Sequence, residues 1–146
     1  MIKDFHLKVK LNHKDAKVPT RSFPTDAGFD LYSVDTLIIE PGGFEVVGTG
    51  ISIELSKNFE AQIRPRSGMA AKHGVTVLNS PGTIDQNYRG EIKVILINHG
   101  DCFYSIKKGD RIAQMVFKLV YSPILEIVST IKKTDRNGGG FGSTGK

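Results

Sequence analysis

Residues 79–90 read Asn-Ser-Pro-Gly-Thr-Ile-Asp-Gln-Asn-Tyr-Arg-Gly, and they crowd one carboxylate (Asp85), one aromatic ring (Tyr88), one guanidinium (Arg89) and the amides Gln86 and Asn87 into a few positions. That is more chemistry than a connection needs. A carboxylate beside a ring and several hydrogen-bonding groups suits recognition of a small planar ligand, with Asp85 as the reactive group. A second group is Arg64-Pro65-Arg66-Ser67-Gly68. There guanidinium groups, a hydroxyl and the free N–H groups of a helix start converge, as a phosphate site requires; the same residues also suit a plain connecting helix with solvated arginines. A third is Thr25 to Leu31, where Ala27 and Gly28 permit close backbone approach beside Asp26 and Asp30. Such acids can bind a metal or pair with arginine, or simply mark a turn entering a strand.

Two further groups are weaker by themselves. Gln114 is an amide among the apolar Ile112, Met115 and Phe117, so it is either satisfied by backbone or turned toward a ligand. The last residues, Arg136 through Gly145, set a lone Phe141 among glycines with an arginine before it and hydroxyls after it. A ring so placed can stack on a flat ligand while its neighbours hold phosphates.

The elements that position these groups read almost entirely as short strands. Phe5 to Leu11, Ile51 to Leu55 and Ile92 to Ile97 alternate apolar with polar residues, and turn signals fall at Pro41-Gly42-Gly43, Ser56-Lys57-Asn58, His99-Gly100-Asp101 and Lys107 to Asp110. Period two at such spacing predicts an all-β sandwich, jelly roll or barrel. The runs Val75–Leu78 and Glu91–Ile97 flank the 79–90 stretch as the arms of a hairpin, with Pro81-Gly82 supplying its turn. One helix of about two turns is expected over Ser67 to His73, with Ser67 as N-cap and Gly74 at the C′ position.

The 146 residues allow one core, and a composition with 39% hydrophobic and 24% charged residues is that of an ordinary globular chain. No apolar run approaches the length of a membrane span or of a signal peptide core. A cytoplasmic location is expected, in keeping with a single cysteine, Cys102. The net charge of +5 favours anionic partners. Its cations are spread along the chain, which points away from nucleic acid as a stable partner. His6, His13, His73 and His99 lack metal-ligand spacing. Residues 1–131 are expected to form the β domain and residues 132–146, rich in glycine and cations, a flexible C-terminal arm.

Taken together, five segments resemble the five motifs of the trimeric dUTP nucleotidohydrolases (dUTPases): Ala27 to Leu31, Arg64 to Ala70, the stretch through Gly90, Arg111 to Gln114, and Arg136 to Gly145. They occur in the family's order and cover essentially the whole chain. The resemblance implies a distorted jelly roll of the β-clip type, assembled as a homotrimer with active sites shared between subunits. It implies hydrolysis of dUTP to dUMP and pyrophosphate, keeping uracil out of DNA and supplying dUMP for thymidylate synthesis. In that scheme Asp85 activates the attacking water, Asn79, Thr83, Ile84 and Lys93 build the uracil pocket, and Tyr88 lies against the deoxyribose. Arg66, Ser67, Gly68 and Gln114 hold phosphates, Arg136 reaches the outermost one, and Phe141 stacks over uracil. Mg²⁺ is the implied cofactor, with Asp30 acting through its waters or by orienting an arginine. The chain departs from the family pattern at Asn137, where glycine is common, and at Gln86-Asn87, where an acid often fills the second position. A dCTP deaminase or bifunctional deaminase-dUTPase shares the fold, and a non-catalytic dUTP-sensing jelly-roll protein is the alternative of another class.

Overall fold

The structure, a computed structural model, describes residues 6–143. The described chain forms strands β1 (Lys8–Leu11), β2 (Gly28–Tyr32), β3 (Leu37–Ile39), β4 (Phe44–Gly48), β5 (Ile51–Glu54) and β6 (Phe59–Arg64), helix α1 (Ser67–His73), and strands β7 (Val75–Val77), β8 (Gly82–Ile84), β9 (Lys93–Asn98), β10 (Tyr104–Ile106) and β11 (Arg111–Leu119). Phe5, expected to open the first strand, lies outside the described residues, as do residues 144–146.

Every strand pairing is antiparallel. A four-stranded sheet runs β2-β11-β6-β8 and a three-stranded sheet β4-β9-β7, with the pairs β1-β5 and β10-β3 completing the jelly roll. Leu31, Ile63 and Met115 from the first sheet and Val47, Val94 and Leu96 from the second meet in one buried cluster. In β9 the alternation places Val94, Leu96 and Asn98 inward. The buried Asn98 amide is fully used, donating to the carbonyls of Ile39 (3.0 Å) and Cys102 (2.8 Å) and accepting from the Gly100 N–H (2.9 Å). In β5 alternation fails: Ser52 is buried with Ile51 and Ile53. Its hydroxyl accepts from Asn12 at 2.7 Å and donates to the Gly90 carbonyl at 3.0 Å, so both of its faces are covered.

Two expectations are corrected. The arms around residues 79–90 do pair, Val77 opposite Leu96, but the connection is no tight turn. It leaves the three-stranded sheet through a cis Ser80–Pro81 bond and contributes β8 to the other sheet, with Ile63 opposite Gly82 and Ala61 opposite Ile84. The β-branched pair Thr83-Ile84 finds more partners as an added strand than in a loop. Ser67 is not the N-cap either. Arg66 holds that position at φ −88° and ψ 126° without a side-chain cap: the chain is still extended there, and Ser67 is already the first helical residue. The helix ends as expected at Gly74 in the left-handed conformation.

The last strand stops at Leu119. Residues 120–131, placed with the domain by sequence, are exposed along their whole length.

Candidate active site

Crossing from one sheet to the other, residues 77–95 open a cavity of about 300 Å³. Its floor and walls are apolar, from Ile63 of β6, Val77 of β7, and Val94 and Ile95 of β9, with Val46 of β4 at one side. The polar groups are concentrated on the crossing segment: Asn79, Thr83, Asp85, Tyr88, Glu91 and Lys93. An apolar pocket with a few convergent polar groups is the usual form of a small-molecule site.

The segment carrying Asp85 is held at several points. The Tyr88 N–H donates to the Asp85 carbonyl at 3.1 Å. Arg89 folds back, its Nη1 donating to the carbonyls of Gln86 (2.7 Å) and Tyr88 (2.9 Å). The Tyr88 hydroxyl donates to the Glu91 carbonyl at 2.9 Å, which swings the ring across Gly90. A Cβ at Gly90 would lie 3.0 Å or less from that ring, so glycine is required for the phenol to adopt this pose. Glu91 Oε1 accepts from the Gly50 N–H at 2.9 Å, and Oε2 lies 3.8 Å from Lys93 Nζ.

The expected phosphate-holding residues gather elsewhere. A second cavity of about 280 Å³ is lined by Arg66, Arg111, Ile112, Tyr104, Ile106 and Asp110. Asp30 on β2 lies between two guanidiniums, 3.5 Å from Arg66 Nε and 3.1 Å from Arg111 Nη1, and Arg66 Nη1 also donates to the Arg111 carbonyl at 3.0 Å. Burial pushes the Tyr104 phenol above its ordinary pKa; Asp110 adds to the shift and Arg66 opposes it. Gln114 donates to the Pro65 carbonyl at 3.0 Å, and its other amide atom packs where a Gly28 side chain would have to be. Its amide thus ties β11, β2 and the Arg66 segment together. Ser67 and Gly68 open the helix, and the Cβ position of Gly68 faces open space.

The structure therefore brings Asn79, Thr83, Ile84, Asp85, Tyr88 and Lys93 together, and Asp30, Arg66 and Gln114 near one another, but it does not join the two groups. Ile84 stands opposite Ala61; Asp85 lies one residue past the end of this pairing, and Arg66 five residues past Ala61 in the opposite direction, a separation of about six residues. At the rise of an extended chain that is roughly 20 Å. Arg136 and Phe141 line neither cavity. Arg136 Nε donates to the Gly139 carbonyl at 2.9 Å, and Phe141 is fully exposed.

Comparison with known proteins decides the family: residues 14–145 match the dUTPase family model. The chain belongs to the dUTPase family. It is 54% identical over 143 residues to the deoxyuridine 5′-triphosphate nucleotidohydrolase of Clostridium tetani, covering 98% of this chain and 99% of that one. The Clostridioides difficile protein of the same name is 51% identical, with 97% and 99% covered. In structure the chain is similar to a glycine-to-serine variant of the Staphylococcus bacteriophage 80alpha dUTPase with dUpNHpp, at a TM-score of 0.90 and 27% identity over 97% of this chain and 99% of that chain.

Sequence reading of this dUTPase chain missed Glu91, gave Arg111 no role of its own within its motif, and named only Ile84 of the apolar lining. Glu91 had a local signal, since it is a carboxylate set directly after a glycine and two residues before the largely apolar strand β9. Ile63 and Val94 had none, being ordinary core residues until β8 crosses between their sheets.

Proposed function

We propose that this chain hydrolyses dUTP to dUMP and pyrophosphate, with the 300 Å³ cavity as its nucleoside site. The observation that carries the reading is the presence of Asp85, Tyr88, Asn79 and the edge of β8 around one small apolar pocket. Uracil enters between Ile63, Val77 and Val94, where backbone groups of residues 82–85 meet its O4 and N3–H. The exocyclic amine of cytosine would leave polar groups unpaired there, a strong basis for rejection. The Tyr88 ring, fixed by Glu91, lies against the deoxyribose and leaves no room for a 2′-hydroxyl.

Asp85 accepts a hydrogen bond from a water and takes its proton as the oxygen attacks the α-phosphorus. The bond from that phosphorus to the bridging oxygen breaks, and pyrophosphate leaves. Arg66, Ser67, Gly68 and Gln114 hold the phosphates, Arg136 reaches the last one, and Phe141 covers the base. Phosphoryl transfer depends mainly on such positioning and charge neutralisation. Mg²⁺, when bound to the triphosphate and its own waters, supplies further neutralisation. Among the described residues no group of three or more His, Cys, Asp or Glu side chains could cage the ion. Asp30, with both oxygens directed at guanidiniums, suits an outer position that keeps Arg66 and Arg111 in place.

Since ~20 Å along an extended chain exceeds the reach of a triphosphate tail, one protomer's Asp85 and its own Arg66 serve different sites. We infer a homotrimer in which the two half-sites face each other across an interface and residues 132–146 close over them as an arm. The apolar strip of Tyr121, Ile124, Leu125, Ile127 and Ile131, each at least 86% exposed, supports assembly, because so much apolar surface marks a protein contact. A deoxynucleotide substrate and a single cysteine suit a cytoplasmic enzyme.

Incubation with dUTP, dCTP or UTP plus Mg²⁺ tests the reading, which expects pyrophosphate and dUMP from dUTP alone. Ammonia from dCTP would assign a deaminase instead, and dUTP binding without pyrophosphate a sensor.

A further inference from the structure

Glu91 serves Tyr88 with one atom and binds itself to the rest of the fold with another. Its backbone carbonyl accepts from the Tyr88 hydroxyl at 2.9 Å, and its side-chain Oε1 accepts from the Gly50 N–H at 2.9 Å. Gly50 is held independently of the cavity, which it does not line. Its carbonyl accepts from the Asn12 N–H at 2.7 Å, and two residues earlier the Gly48 N–H donates to Asp35 Oδ2 at 2.6 Å. The Glu91 carboxylate therefore ties the acceptor of the phenol to a segment that is already fixed.

Bonds on either side aim that acceptor. Ser52 donates its hydroxyl to the Gly90 carbonyl at 3.0 Å, and the Ile92 N–H donates to the Ile51 carbonyl at 2.8 Å. Because the Glu91–Ile92 peptide is trans, its carbonyl points away from Ile51 and toward Tyr88. Glycine at position 90 makes room for the ring, but it also leaves the backbone before Glu91 free to turn. Bonds at Ser52, Ile92 and the Glu91 side chain replace the restraint that glycine lacks, and the last of these acts on the residue that carries the acceptor. The second carboxylate oxygen lies 3.8 Å from Lys93 Nζ, which offsets its charge beside a polyanionic substrate. A ring excludes a hydroxyl only while it is held still.

We propose that Glu91 is a positioning residue for sugar selectivity: its carboxylate, anchored on Gly50, holds the carbonyl that sets the Tyr88 ring against the 2′ position. The inference rests on the reading of the cavity as a deoxynucleoside site. The role requires an acceptor for the Gly50 N–H and not a negative charge, so an amide can replace the acid.

The test uses the full-length chain with Mg²⁺ and measures kcat/KM for dUTP and for UTP on the same preparation, so that the ratio does not depend on how much of the protein is folded. Glu91→Ala is expected to reduce the dUTP:UTP ratio on the order of tenfold. Glu91→Gln keeps an oxygen for the Gly50 N–H and should hold the ratio within about twofold of wild type. Tyr88→Phe removes the donor at the other end and should also reduce the ratio, while the double variant with Glu91→Ala loses no more than the larger single loss. An unchanged ratio in Glu91→Ala, including equal losses on both substrates or UTP turnover still below detection, would overturn the proposal. So would a Glu91→Gln protein as unselective as Glu91→Ala. Multiplying losses in the double variant would overturn the route through Tyr88. The wild type separates the two levels. If it hydrolyses dUTP and UTP alike, or neither, the nucleoside reading has failed and the proposal with it; if it is selective and Glu91→Ala is equally so, only the positioning role has failed.

Discussion

The Asp85 segment and the C-terminal arm are both made largely of polar and glycine residues, yet they are held in opposite ways. Residues 82–84 are locked into a sheet against β6, and Asn79, Tyr88 and Glu91 surround a cavity floored by the core residues Ile63 and Val94. Residues 120–138 are exposed throughout, and the hydrogen bonds of Arg136 and Asn137 stay within their own turn. In the proposed scheme base recognition and water activation need fixed geometry, which β8 and the segment held directly after it supply. In the same scheme, closing over a polyphosphate that must enter and leave needs a segment whose motion costs little, which a glycine-rich arm would supply. On this proposal the arm is separable from the fold and the pocket inseparable from it.

Breaking the fixed half at its reactive atom has the largest expected effect. Asp85→Asn should retain dUTP binding, measured by calorimetry, and lose turnover by ~10²-fold or more; near-normal turnover would remove Asp85 from the mechanism. Deleting residues 136–146 comes next. Turnover should fall to a small fraction while the thermal midpoint and the oligomeric state stay as in the full chain, and an unfolded truncated protein would contradict a separable arm. Ile63→Ala attacks the pocket through its floor. This side chain is 2% exposed, and its loss should cost about 2–5 kcal/mol in urea unfolding, with a rise in KM for dUTP.

The smallest effect concerns surface charge. The hydrogen bond from Lys8 Nζ to Glu54 Oε1 at 2.8 Å, reinforced by the lysine charge, holds the Glu54 carboxyl below its ordinary pKa. A depressed folded pKa contributes stability above the unfolded pKa, and that contribution is lost as pH falls through the folded value. Lys8→Ala should therefore reduce stability slightly at neutral pH, with the difference from wild type vanishing in acid, as thermal midpoints across pH will show. Both groups are exposed, so the change should be small.

Some of this was legible because it is local. Asp85, Tyr88 and Asn79 sit within one short stretch, and the alternation of β9 names its inward side chains. Alternation misplaced Ser52, because Asn12 and Gly90 cover it from segments distant in the chain. The Asp30–Arg111 pair joins residues 81 positions apart; the sequence suggested an arginine partner for Asp30 but gave no sign of which one. Ser67 looked like a cap because hydroxyls usually precede helices; in the structure the extended residue before the helix is Arg66. The crossing of β8 between sheets, which makes the pocket, depends on pairing with β6 and could not be read from turn residues alone.

The central proposal is that Asp85 of one protomer works with Arg66 of another. The most direct measurement mixes Asp85→Asn and Arg66→Ala proteins, each inactive alone, after reversible dissociation and reassembly. Shared sites predict that mixed trimers regain dUTP hydrolysis, to roughly a quarter of the wild-type rate at equal proportions, the share of interfaces that random assembly makes whole. If verified mixed trimers stay as inactive as either parent, both residues act within one protomer and the account is wrong.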